Sequence, residues 1–133
     1  MTLKTTVTSI NRKDLLALNR ALRQSCSIHI GENRSVSIRT TNRPSKIMGS
    51  FTADDNTIKI FRNEVSDINK YLETFIHEWT HSKQLGLKKN YNKLNKKLGY
   101  DKNPYEVEAR NNEKIFRSKV WKTVKLILKN GNN

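Results

Sequence analysis

The stretch Ile68-Asn69-Lys70-Tyr71-Leu72-Glu73-Thr74-Phe75-Ile76-His77-Glu78-Trp79-Thr80-His81 decides how this 133-residue chain is read. Leu72, Phe75, Ile76 and Trp79 recur at spacings of three and four, the stripe of a helix with one buried face. Ser66 or Asp67 stands where an N-cap is needed, and Gly86 stands where a helix over Ile68–Leu85 stops. On that helix His77 and His81 lie one turn apart on one side, so their imidazoles can grip a single divalent ion. Glu78 is their neighbour and reaches past the ion to a water. Zinc suits such a donor set and lowers the pKa of its bound water to about 7, where a carboxylate can take the proton. Manganese, iron and cobalt accept the same ligands.

A zinc site needs at least one further protein ligand. His29 is the one other histidine; it lies upstream, near the expected sheet, and reads as a hydrogen-bonding residue of the fold. No third histidine follows His81 at short spacing, so the ligand is expected among Asp101, Glu106, Glu108 and Glu113. Asn103-Pro104 opens a last helix running to about Lys129, with Asn at the N-cap and Pro at the first helical position. On it Glu106 shares the inner stripe with Ala109, Phe116, Val120, Val124 and Ile127, whereas Glu108 aligns with Ile115 and Lys119. The phase therefore selects Glu106, with Glu108 in reserve, and the small Ala109 lets the two helices approach. Asn103 to Glu106 is also the spacing of a capping box, a competing use for the same carboxylate. Glu113 on the inner stripe is costly to bury alone; orienting a ligand histidine or pairing with a lysine would explain it.

Upstream, a first helix is expected over Asn11–Gln24, with Leu15, Leu16, Leu18, Ala21 and Leu22 inward, giving way to alternation from Ser27. Ser35–Thr40, Ile47–Ala53 and Thr57–Phe61 read as strands, with Asn42-Arg43-Pro44 breaking the first and Asp54-Asp55-Asn56 turning into the third. The Lys/Asn-rich stretch Lys88–Tyr100 reads as a short helix carrying Tyr91, Leu94 and Leu98. The expected fold is α+β, one domain over residues 1–133. A sheet of about three strands packs on the histidine-bearing helix and on a long C-terminal helix.

His77-Glu78-Trp79-Thr80-His81, then Tyr100, then Asn103-Pro104-Tyr105-Glu106-Val107-Glu108-Ala109, resembles the gluzincin-type zincin metallopeptidases, above all the minimal single-domain members found in phage and bacterial genomes. The resemblance covers roughly Val36–Phe116. It implies a zincin-like fold and hydrolysis of peptide bonds in a peptide or protein substrate. One zinc ion would sit on His77, His81 and Glu106, with Glu78 as general base and Tyr100 donating to the oxyanion. It also implies that an edge strand binds peptide by strand addition. Tyr100 equally suits a core or loop aromatic. Arg110 stands where many relatives carry an acid, which leaves Glu113 or Glu73 to replace it.

Composition bounds the remaining choices. Lys and Arg total 26 against 12 Asp and Glu, a net charge of +14 that favours acidic partners such as nucleic acid. Lys88, Lys89, Lys93, Lys96, Lys97 and Lys102 cluster between the histidine motif and Glu106. That cluster gives a second reading, similarity to SprT-like proteases acting on nucleic-acid-associated proteins, although those complete their site with a third His. A third reading is a basic, non-enzymatic phage DNA-binding or structural protein with a degenerate zincin fold. Cys26 is the single cysteine and reads as a buried thiol, so a reducing interior is expected. No membrane-length apolar run and no signal-peptide pattern are visible, and the expectation is a cytoplasmic protein, in a host cytoplasm or virion if phage-encoded.

Overall fold

In the computed structural model, which describes residues 1–131, helices and strands follow the order of the sequence patterns but differ at their ends. Helix α1 spans Arg12–His29, and the Asn11 side chain caps it by accepting from the Asp14 N–H. It runs past the expected end at Gln24, and no alternation begins at Ser27. Tertiary packing explains the extension: Ser25 and Cys26 are buried, and the Ser25 hydroxyl donates to the Val120 carbonyl at 3.0 Å. The chain leaves the helix only near Gly31, whose φ of 143° suits glycine and little else. His29 therefore sits on α1 rather than by the sheet, where its Nε2 pairs with the Thr123 hydroxyl at 2.8 Å.

Strands β1 (Ser37–Thr41), β2 (Gly49–Thr52) and β3 (Thr57–Phe61) form a mixed sheet in the order β1-β3-β2. β3 lies in the centre, parallel to β1 and antiparallel to β2. It has the bounds expected from sequence and buries Ile58 and Ile60. Asn56 closes the preceding turn at φ 50°, a left-handed conformation that Asn tolerates well. β2 is shorter than expected because Ile47 and Met48 are exposed ahead of it.

Helix α2 (Ile68–Lys83) is capped by Asp67, which accepts from the Lys70 N–H, and not by Ser66. It stops short of Leu85, because Gln84 turns to extended backbone. Gly86, at φ 71°, opens helix α3 (Leu87–Leu98), which contains no buried residue. Helix α4 (Pro104–Gly131) starts where Asn103 and Pro104 place it, with the Tyr105 N–H donating to Asn103 Oδ1. Among the described residues no helix is long and apolar enough to cross a membrane.

α2 is the central element, packed against β2 and β3 on one side and against α1 and α4 on the other. Its Leu72, Phe75, Ile76 and Trp79 meet Ile58 and Ile60 of β3, Leu18 and Leu22 of α1, and Val120 and Val124 of α4 in one apolar core. The Trp79 indole N–H is satisfied by the Gly31 carbonyl at 2.9 Å, so its burial leaves no orphan donor.

Gly49 sets the distance between β2 and α2. A Cβ there would stand 2.6 Å from Thr74 Cγ2, 3.2 Å from the Lys59 carbonyl oxygen and 3.4 Å from Glu78 Cγ. Thr74 is β-branched and buried, so it cannot swing clear. Gly49→Ala is expected to lower unfolding free energy by about 1–3 kcal/mol, read by urea denaturation. Adding Thr74→Ser, which removes Cγ2, should recover part of that loss. An unchanged midpoint for the single variant would show that β2 does not press on α2.

Candidate metal centre

Because α2 is pinned by its apolar face, the side bearing His77, Glu78 and His81 is presented to the start of α4. Glu106 meets it there, 4% exposed. Its Oε1 lies 2.8 Å from His77 Nε2 and 3.1 Å from His81 Nε2. The ligating atoms of His77, His81 and Glu106 all fall within 4.8 Å of one another, and no other such group occurs among the described residues. The capping-box alternative for Glu106 is not formed: the Asn103 N–H goes to the carbonyls of Gly99 and Tyr100.

The far side of each imidazole is also held. His77 Nδ1 lies 2.7 Å from Glu113 Oε2, which fits the orienting role open to Glu113. His81 Nδ1 lies 2.7 Å from Gln84 Oε1. The Gln84 amide nitrogen donates to the Tyr105 carbonyl and to Glu108 Oε1, both at 2.8 Å, so the amide oxygen is the atom turned to His81. A carboxylate and an amide oxygen can only accept, so both Nδ1 atoms carry protons, and the Nε2 atoms that face inward onto Glu106 are the ones an ion would claim by displacing their protons. Two nitrogens and one carboxylate oxygen converging this way fit a divalent metal with an open coordination position.

Tyr91 completes the frame. Its hydroxyl donates to Glu106 Oε2 at 2.5 Å, which leaves Oε1 facing the histidines. Sequence reading placed Tyr91 among apolar positions of a short helix and missed this contact, as it missed Gln84. The only sequence signal was an isolated aromatic within a Lys/Asn run. Glu108 is exposed and bound to Gln84, Asp101 is exposed, and neither joins the ligand group. Glu73 accepts from Asn69 on its own helix and does not replace the absent acid at Arg110.

Glu78 is 8% exposed and lines a cleft of about 480 Å³ together with the ligand residues, β2, Tyr91 and Tyr100. Tyr100 is half-exposed at its rim. Burial raises the Glu78 carboxyl above the usual range, and the charges of Glu106 and Glu113 add to this against the pull of the two histidines. Burial alone would favour neutral imidazoles, but hydrogen bonds to Glu106 and Glu113 raise His77 to about 10. His81 is raised likewise by Glu106 and Gln84. Burial would raise Glu106, yet hydrogen bonds from His77, His81 and Tyr91 hold it well below the usual carboxylate range.

Compared with known proteins, the chain matches no family model, no curated protein and no solved structure.

Two outcomes follow. An ion must displace the proton on His77 Nε2, which the folded protein holds up to about pH 10, while Glu106 is already ionised. Zinc affinity of chelator-treated protein should thus rise as pH goes from 6 to 8, by up to about tenfold per unit for each proton displaced. A competing chelator measures it, and a flat profile would exclude these histidines as ligands. Glu113→Gln should weaken zinc binding by about 10–100-fold while the fold persists by circular dichroism.

Proposed function

We propose that this chain is a zinc-dependent peptidase of zincin-like architecture. One observation carries the reading: both Nε2 atoms converge on Glu106 Oε1 while Glu113 and Gln84 hold both Nδ1 atoms from outside. His77, His81 and Glu106 would hold the ion, which when bound supplies Lewis acidity toward a water and a peptide carbonyl. Glu78, buried beside them and open to the cleft, takes the proton of the attacking water and returns it to the departing amine as the C–N bond breaks. Its raised pKa suits a group that must both accept and release that proton.

Tyr100 serves as donor to the developing oxyanion. Burial and the Glu106 charge push its pKa up to about 12, so it stays protonated at neutral pH. Tyr91, tied to Glu106, serves as a positioning residue. β2 pairs with β3 on one edge only, and its residues line the cleft. Its free edge can take an extended peptide by backbone pairing, which sets a carbonyl near Glu78.

A second reading of the substrate, as protein held on nucleic acid, is favoured by α3. Leu87, Lys88, Tyr91 and Asn92 border the cleft, while Lys89, Lys93, Lys96 and Lys97 are exposed. A steep fall of DNA affinity with salt would support it, and no binding at low salt would end it.

Glu78→Gln decides the mechanism. Elemental mass spectrometry should find zinc retained, while cleavage of a mixed peptide pool drops by at least about a hundredfold. Undiminished cleavage by the variant would remove Glu78 from the reaction. Wild-type protein that takes up no zinc would leave a basic binding protein in place of the peptidase.

A further inference from the structure

A second pocket, of about 400 Å³, adjoins the metal centre and shares His77, Glu78 and Tyr100 with the main cleft. It is also lined by Lys46, Ile47 and Met48, ahead of β2, and by Arg110 and Glu113 of α4. The pocket's charges are unevenly committed. Glu113 is bound to His77 Nδ1, and Glu78 is the proton carrier of the proposed reaction. Lys46 and Arg110 enter no ion pair among the described residues, although Glu108 and Glu113 stand close to Arg110 in sequence.

Arg110 is held in place before anything binds. One guanidinium nitrogen, Nη2, donates to the Asp101 carbonyl, and the group lies over the Tyr100 ring, 5.8 Å from its centroid. The other terminal nitrogen, Nη1, is shielded from solvent and has no hydrogen-bond partner. Nη1 is therefore not the atom a ligand would meet; what the pocket gains from Arg110 is a fixed, unneutralised guanidinium charge, which attracts an anion. Lys46 is exposed, lines the same pocket and adds a second cation. Ile47 and Met48 offer apolar surface to the methylenes of an acidic side chain.

We propose that this pocket is a carboxylate subsite, in which Arg110 and Lys46 select a substrate carrying a negative charge next to the bond that is cut. The proposal rests on the peptidase reading for the position of that bond, but binding alone can test the pocket. The carboxylate is either an aspartate or glutamate side chain or the free end of a chain.

The test uses zinc-loaded protein in about 0.15 M salt, where long-range attraction to the basic surface is largely screened. Blocked alanine-based peptides carry one glutamate, or a glutamine in its place, at successive positions. A parallel peptide has no acid but a free C-terminus. Affinity is read on Glu78→Gln protein by fluorescence anisotropy, and cleavage on otherwise wild-type protein. At one position only, glutamate is expected to improve binding by about tenfold over glutamine. That preference should fall to near unity in Arg110→Gln, shrink in Lys46→Gln, and persist in Lys125→Gln, an exposed cation on the far part of α4. Tight binding of the free C-terminus alone would assign the site to a chain end.

A preference spread evenly over all positions, or unchanged in both Arg110→Gln and Lys46→Gln, would overturn the subsite. Lys46 lies on an exposed segment, so loss of folding in the Arg110 variant would leave the Lys46 arm decisive. Cleavage without any acid preference sinks this proposal and spares the peptidase. Selective binding without cleavage does the reverse.

Discussion

One carboxylate governs the arrangement of this protein. Glu106 is buried between two imidazoles that belong to another helix, and a buried acid is tolerable only when its oxygens are matched. Oε1 is taken by His77 and His81 and Oε2 by Tyr91, so three helices meet at one side chain. The start of α4 cannot shift against α2 without stranding that charge. Ala109, fully buried one turn later, permits the closeness, and Glu113, two turns later, reaches the back of His77. α3 has no buried residue of its own. It is held at the cleft largely through its polar contacts, with Tyr91 as the chief of them.

Much of this was legible in the sequence because it repeats at fixed intervals. The stripe Leu72, Phe75, Ile76, Trp79 gave α2, the phase of Glu106 with Ala109 and Val120 singled out the carboxylate that meets the two histidines, and Asn103-Pro104 gave the start of α4. β3 was legible to the residue. The misses have a common physical origin in contacts between distant segments. α1 continues beyond Gln24 because Ser25 and Cys26 find α4, ninety-five positions away in the case of Ser25 and Val120. His29 is drawn to Thr123 by the same packing. Gln84 acts through hydrogen bonds to His81, Tyr105 and Glu108, and Tyr91 through one to Glu106; such isolated contacts leave no period to detect. Parallel pairing of β1 with β3, with β2 on the outer side, was beyond reach for the same reason. Strand pattern records which face is buried and says little about which neighbour it pairs with.

The lone-sided pairing of β2 has a consequence for how copies of the chain behave toward each other. An unpaired strand edge invites any extended backbone, including that of a second molecule. Here the edge is four residues long and begins at a glycine seated against α2, which limits how far such a pairing can run. The net charge of +14 adds a repulsion between copies that a short acidic or neutral peptide does not feel. Colloidal stability and access to the cleft thus draw on one and the same surface charge. Concentrated salt, by screening that charge, brings the edge strands of neighbouring molecules within reach of each other.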